Sequence, residues 1–160
     1  MPNPEAKCGI CAGLENIRAG KAPNLVAELA HSYVVLGDAQ FYRGYCILLA
    51  KRHARELFEL PREEALALSD ELRSVAEAIN LVVQPLKLNY ECLGNLEAHV
   101  HWHVFPRYAS EEEKFRRAPV WERPASERMV KLAEHDERAL MASLRAAIVR
   151  LIPTARTPRD

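Results

Sequence analysis

Short apolar runs separated by polar turns make up the first third of the sequence. Residues 25–29 and 33–36 have the length and composition of β-strands, and His31 lies at the turn between them. A continuous apolar run over residues 45–50 follows Gly44 and is typical of a buried strand. We therefore predict three strands joined by short turns.

A helical period replaces the strand pattern between Pro61 and Pro85. Pro61 suits the first turn of a helix, and Pro85 ends the pattern. A second amphipathic helix is predicted over residues 133–151, and residues 154–160 are expected to fray. The apolar positions of the first helix are Leu68, Leu72, Val75, Ile79, Val82 and Val83.

Two further strands complete the predicted sheet. Residues 86–93 and 98–105 have strand patterns on either side of a turn at Gly94 and Asn95, and the charged residues 107–124 are expected to be mostly loop. Strands joined by short turns, with one long helix inserted before the last two, predict an antiparallel sheet with helices against it. The fold class is therefore α+β, with about five strands in a single domain over residues 1–160.

The last predicted strand carries the chain's most informative pattern, because its histidines alternate with apolar residues. Side chains alternate between the two faces of a strand, so histidines two positions apart share a face and lie roughly 6.6 Å apart. The apolar face can pack in a core, whereas neutral imidazoles serve as nucleophiles, general bases or metal ligands near pH 7. One face consists of His99, His101 and His103, and the other consists of Val100, Trp102 and Val104.

Two other interpretations of the histidines are weaker. The segment can be a surface strand that happens to be rich in histidine. The three imidazoles can also form one catalytic metal site, but the outer two of a straight strand lie roughly 13 Å apart, which opposes convergence on one ion.

Composition excludes several classes of function. Hydrophobic residues make up 49% of the chain and charged residues 28%, and the formal net charge is zero. A formal net charge of zero gives no indication of the basic surface that binds nucleic acid or anionic membranes. No apolar run reaches the roughly 18 residues needed to span a bilayer, and residues 1–5 lack the features of a secretion signal. We therefore expect a cytoplasmic protein without nucleic-acid or membrane partners.

Cys8 and Cys11 form a Cys-x-x-Cys pair near the start of the chain. Two thiolates can hold half of a tetrahedral zinc site, and the remaining ligands would be histidines or another cysteine. His53 and a member of the histidine cluster are candidates. A redox pair, or two unlinked thiols in a loose terminus, are the alternatives.

The segment from His99 to Phe105 resembles the signature of the histidine-triad (HIT) family: His, apolar, His, apolar, His, apolar, apolar. The resemblance covers about residues 8–108 and implies the HIT fold. Matching segments in family order are 36–38, 44–45, 51–53, 93–95 and 106–108.

Members of the family bind nucleotides, and most hydrolyse or transfer nucleoside monophosphates. The resemblance implies a hydrolase or nucleotidyltransferase that acts on the α-phosphate of a dinucleoside polyphosphate or nucleoside phosphoramidate. His101 would be the nucleophile of a nucleotidyl-histidine intermediate, and His103 would contact phosphate oxygens or the leaving group. Asn95 would contact phosphate and Asp38 the ribose hydroxyls. Family habit also implies a homodimer, and the alternative function is a nucleotide-binding regulatory module with little turnover.

The resemblance also implies a structural zinc ion. In relatives that carry the cysteine pair, the first histidine of the triad binds zinc, whereas in relatives without the pair it supports the nucleophile. Cys8, Cys11, His53 and His99 match the zinc-binding arrangement.

Two positions depart from the family pattern. Tyr45 stands where many relatives have histidine, and Leu96 where many have serine or threonine. Both positions lie near phosphate in relatives, and Arg107 and Glu97 are candidate substitutes.

Overall fold

A five-stranded antiparallel sheet forms the centre of the protein in our computed structural model, which describes residues 8–158. Residues 1–7 and 159–160, which belong to the predicted domain 1–160, lie outside the described residues. The strand order is β1-β2-β3-β5-β4, and each pair of neighbours is antiparallel. The strands are β1 Leu25–Glu28, β2 Ser32–Leu36, β3 Cys46–Ala50, β4 Lys87–Glu91 and β5 His101–Arg107.

Two long helices, α2 and α5, cover one face of the sheet. Pro61 occupies the N-cap of the first, and Gln84 ends it in a left-handed conformation immediately before Pro85. Their apolar sides pack on Val100, Trp102 and Val104, so the main core contains the predicted apolar face of the histidine segment. The helices in the described chain are α1 Gly9–Arg18, α2 Arg62–Val83, α3 Glu113–Arg116, α4 Ala125–Arg128 and α5 Glu134–Leu151.

The opposite face of the sheet carries two smaller apolar clusters. Leu14 and Ile17 of α1 pack on Tyr33 and Val35 of β2. Farther along this face, an aromatic cluster includes Tyr42, Tyr45, Phe105 and Val120. The two histidines of β5, His101 and His103, point away from the main core and lie on this face, between the two clusters.

The predicted start of the histidine strand is wrong by three residues. Strand β5 begins at His101, and His99 lies in a bend before it. The His99 N–H bonds to the Glu97 carbonyl, and the Val100 N–H bonds to the Ala54 carbonyl. These two N–H groups therefore bond to loop residues and not to a neighbouring strand. His99 therefore does not share a regular strand face with His101 and His103.

The described residues near both ends of the chain are more ordered than the sequence predicts. A helix begins at Gly9, where we expected no element, and the Cys11 N–H bonds to the Cys8 sulfur at its N-cap. Near the other end, Arg156 exchanges two backbone hydrogen bonds with Glu28 of β1 instead of fraying.

Segment 107–124 is mostly loop, as predicted, with α3 and a 3-10 turn at Val120–Glu122. Among residues 8–158, we find no helix with the length and apolar character needed to cross a bilayer.

Candidate functional site

The orientation of the His101 ring is fixed by the backbone of the residue two positions before it. His101 Nδ1 lies 2.6 Å from the His99 carbonyl oxygen, and a carbonyl accepts only, so Nδ1 carries the hydrogen. Nε2 is then the ring nitrogen with a free lone pair. His101 is 8% exposed. Its backbone pairs with that of Leu49 on β3, which holds the residue in the sheet. The arrangement fixes the orientation of the ring and the direction of the Nε2 lone pair.

His103 lies next to His101 and contacts an aromatic residue on the other side. The two imidazole rings meet edge to face with centroids 4.9 Å apart. His103 Nδ1 lies 2.6 Å from the Tyr45 hydroxyl oxygen. Burial, and then the electrostatic influence of the neighbouring His101, lower the pKa of His103 to about 4. His103 is therefore neutral at pH 7.

Both imidazoles line a cavity of about 370 Å³. The loop between β4 and β5 forms one wall, and Trp121 forms another. Asn95 lies on this loop, so the structure brings it to the same cavity as the two histidines. The lining residues are Leu93, Gly94, Asn95, Leu96, Glu97, His101, His103 and Trp121.

Asp38 lies in the loop between β2 and β3, on the β2 side of Tyr45, and its side chain is exposed. The buried Gln40 amide donates to the carbonyl oxygens of Gly37 and Tyr45 and accepts from the Gly44 N–H. These three bonds give the loop a defined shape. A side chain at Gly37 would overlap the Tyr45 ring, so the close approach of the two segments requires glycine there.

Four side chains that can bind a metal come together close to the start of β5, and their ligand atoms lie within 4.8 Å of one another. They belong to Cys8, Cys11, His53 and His99. The Cys11 sulfur lies 3.3 Å from His53 Nδ1 and 3.5 Å from His99 Nδ1. The Cys8 sulfur lies 3.6 Å from His99 Nδ1, and the two Nδ1 atoms are 3.3 Å apart. These four residues could hold a metal ion.

The donor separations fit a tetrahedral zinc ion. With zinc–sulfur bonds of about 2.3 Å and zinc–nitrogen bonds of about 2.05 Å, tetrahedral angles require sulfur–nitrogen separations of about 3.6 Å and nitrogen–nitrogen separations of about 3.3 Å. The three sulfur–nitrogen distances and the one nitrogen–nitrogen distance given above, 3.3–3.6 Å, are close to these values. Two thiolates and two imidazoles also leave no position for a water ligand.

His99 connects this cluster to His101. Its Nε2 lies 2.8 Å from the Ala50 carbonyl oxygen, so the hydrogen is on Nε2 and Nδ1 is free to bind a metal. Burial lowers the pKa of His99, which favours the neutral imidazole that metals require. The His99 carbonyl oxygen accepts from His101 Nδ1. The ring of His99 therefore faces the two cysteines, and the backbone carbonyl of His99 orients His101.

The family model of the HIT domain matches residues 19–110, which is more than half of the chain. The chain belongs to the HIT family. The curated protein named Protein hit from Bacillus subtilis (strain 168) is 30% identical over 98 residues, which cover 58% of this chain and 68% of that protein. The family assignment from the histidine signature is thus confirmed, as are the α+β fold class and the five-stranded sheet.

Solved HIT structures have the same fold. A histidine triad protein from Marinobacter aquaeolei VT8 superposes with a TM-score of 0.68 at 23% identity, covering 84% of this chain and 95% of that chain. A zinc-bound histidine triad family protein from Mycobacterium smegmatis has a TM-score of 0.62 at 24% identity, covering 92% of this chain and 96% of that chain.

Arg107 and Glu97, the substitutes suggested for the departures from the HIT pattern, are both engaged in other contacts. Arg107 is 3% exposed, and its guanidinium bonds to Glu111, Asn89 and the Phe115 and Ala118 carbonyls. Glu97 accepts from the Gly9 N–H at 2.8 Å, so its carboxylate holds the start of α1. Arg107 therefore anchors the segment after β5, and Glu97 joins the cavity loop to the first helix.

Sequence reasoning assigned no role to Trp121, which lies beyond the matched HIT region. Val120 beside it is fully buried in the aromatic cluster, and the Trp121 indole N–H donates to Glu91. Trp121 meets His103 edge to face with centroids 5.5 Å apart. The charged residues of this loop gave no sign that the loop folds back on the site. The one available signal was the isolated apolar pair at 120–121, which indicates that part of the loop is buried.

Proposed function

We propose that the protein is a nucleotide hydrolase or nucleotidyltransferase that acts on the α-phosphate of its substrate with His101 as the nucleophile. One observation carries the proposal: His101 Nδ1 is fixed on the His99 carbonyl, and the ring lines a cavity shared with His103 and Asn95. A neutral imidazole held in one tautomer needs no proton removed before it attacks. Membership of the HIT family supports the nucleotide as the class of substrate.

The reaction has two displacements at phosphorus. His101 Nε2 forms a bond to the α-phosphorus as the bond to the leaving group breaks, and water then attacks the nucleotidyl-histidine. The covalent intermediate divides one difficult step into two easier ones. His103 and Asn95 donate hydrogen bonds to phosphate oxygens, where negative charge grows in each transition state. Asp38 accepts from ribose hydroxyls.

We further propose that Cys8, Cys11, His53 and His99 hold one structural zinc ion. The tetrahedral separations of the donor atoms support zinc, and the zinc-bound M. smegmatis relative makes zinc a reasonable choice. The ion would supply folding free energy and join α1 to the histidine segment. The reacting phosphate would meet His101 and not the metal.

The proposed activity can be tested by a hydrolysis screen with product identification. We would incubate the metal-loaded protein with dinucleoside polyphosphates, nucleoside phosphoramidates and nucleotide sugars. Release of a nucleoside monophosphate is expected, and H101A should reduce it by at least roughly 1,000-fold. The matched control is H135A, because His135 is an exposed histidine on α5.

Binding of nucleotide without turnover, or turnover that survives in H101A, would contradict the catalytic proposal. The homodimer and cytoplasmic location stay predictions from the sequence. Sedimentation analysis tests the first, and β4 offers an edge of the sheet at which a second copy can pair.

A further inference from the structure

Tyr45 occupies a position where many HIT relatives have histidine, and its side chain is held rigidly. The phenol ring stacks on Phe105 with centroids 3.9 Å apart and planes 10° apart. Gly37 approaches the ring from the neighbouring loop, and the residue is only 5% exposed. Its hydroxyl oxygen lies 2.6 Å from His103 Nδ1. Tyr45 is therefore placed to determine which nitrogen of His103 carries the hydrogen.

The hydrogen bond between Tyr45 and His103 can run in two directions, and donation from the Tyr45 phenol to His103 Nδ1 is the more favourable one. A phenol is a stronger donor than acceptor, and a neutral imidazole nitrogen is a good acceptor. The reverse arrangement would leave the buried Tyr45 O–H without another acceptor among residues 8–158. With Nδ1 accepting, the His103 hydrogen is on Nε2. His103 lines the cavity, so this N–H is the group it offers to a substrate.

The surroundings keep His103 neutral. Tyr45, His101 and Trp121 face its ring, and Glu91 is its partner on β4. Burial is the largest cause of the lowered pKa of His103, and the electrostatic influence of His101 adds to it. The Glu91 carboxylate accepts from the Trp121 indole, so it is engaged elsewhere. His103 can thus donate a hydrogen bond at pH 7 but has no imidazolium proton to give away.

We propose that Tyr45 holds His103 as a neutral Nε2–H donor and thereby favours substrates whose leaving group departs without a proton, namely phosphoanhydrides over phosphoramidates. Tyr45 is a positioning residue in this proposal, because it acts through His103. The inference rests on the proposed function, in which His101 attacks the α-phosphorus.

The two substrate classes differ in where the electron pair goes. With an anhydride, the His101–phosphorus bond forms, the bond to the bridging oxygen breaks, and the pair stays on an oxygen of a stable polyphosphate anion. With a phosphoramidate, the phosphorus–nitrogen bond breaks, and the pair on nitrogen needs a proton. Among the residues that line the cavity, His103 has the N–H placed to supply it, and Nδ1 would then take the Tyr45 proton. Burial raises the pKa of Tyr45, so the resulting phenolate is disfavoured.

The test compares two substrates that share an adenylyl group, diadenosine tetraphosphate and adenosine 5′-phosphoramidate. For the wild-type protein, we expect kcat/KM for the anhydride to exceed that for the phosphoramidate by at least roughly 100-fold, the usual contribution of a general acid. Y45H replaces the phenol with an ionisable imidazole, and we expect it to raise the phosphoramidate-to-anhydride ratio by at least about 10-fold.

Y45F keeps the aromatic ring and removes only the hydroxyl. We expect kcat for the anhydride to fall by about 10-fold with little change in KM, because one hydrogen bond to a catalytic group is lost. The substrate ratio should not rise as it does in Y45H. Nitrogen-15 NMR of the wild-type protein should report the Nε2–H tautomer for His103.

Similar rates for the two wild-type substrates, or an unchanged ratio in Y45H, would overturn this inference and leave the proposed function standing. An Nδ1–H tautomer would also overturn it. If folded wild-type protein cleaves neither substrate, and no other nucleotide, the proposed function itself fails. A purely structural role for Tyr45 would lower both rates together without changing their ratio.

Discussion

At the scale of single residues, the His101 ring owes its orientation to a backbone atom. The His99 carbonyl fixes the His101 ring, so the first and second histidines of the signature are coupled whatever their side chains bind. Sequence spacing predicted that the two would share a strand face. It could not predict the bend at His99, because that bend depends on loop contacts with Ala54 and Glu97.

Asp38 is the residue whose substitution should affect substrate binding and the chemical step most differently. The proposed ribose contact would exist in both the ground state and the transition state, so losing it would remove uniform binding. We expect D38A to raise KM by about 10-fold and to change kcat by less than about 3-fold. D38N retains an acceptor and should lie between D38A and wild type, while D70A on the exposed side of α2 serves as the control. A collapsed kcat with unchanged KM would give Asp38 a different role.

At the scale of elements, the segment after β5 depends on one buried ion pair. The Arg107 and Glu111 side chains are 4% and 2% exposed, and the guanidinium also bonds to carbonyls within the segment. Sequence analysis expected a charged loop here because the pattern lacks apolar periodicity. It had no means of showing that Arg107 and Glu111 are both buried and hold the loop over the site.

R107A should therefore destabilise the protein much more than an ordinary surface substitution. Removing one partner leaves the Glu111 charge buried and uncompensated, which costs about 3–5 kcal/mol. The matched control is R117A, since the Arg117–Glu113 pair is mostly exposed and such pairs contribute at most about 1 kcal/mol. Denaturant unfolding of both variants measures the difference. Equal losses in the two variants would contradict the anchoring role of Arg107.

The long regular elements followed from the sequence, whereas the first helix did not. Residues 62–83 repeat apolar positions at helical spacing between two prolines, which is enough to define α2. Helix α1 contains two glycines and too few apolar positions for a clear period. Its position instead follows from tertiary contacts, namely Leu14 and Ile17 against β2 and Glu97 at its first turn.

At the scale of the whole molecule, the cysteine and histidine cluster joins the start of the chain to the centre of the sheet. The purified protein should contain about one zinc ion per chain when no chelator or metal-charged resin is used. C8S should lower the zinc content and reduce the melting temperature by roughly 10 °C, because the free energy of metal binding is partly free energy of folding. C92S is the control, since Cys92 is exposed and outside the cluster. A metal-free wild-type protein that melts at the same temperature as the zinc-loaded protein would contradict this role.

The most direct measurement of the central claim is the capture of the covalent intermediate. Excess enzyme is mixed with diadenosine tetraphosphate, quenched within one turnover and mapped by peptide mass spectrometry. We predict one nucleotidyl group on the peptide that contains His101, located on that residue, and none in H101A, where the ring is gone. Monophosphate release without any adduct, or an adduct on another residue, would contradict His101 as the nucleophile.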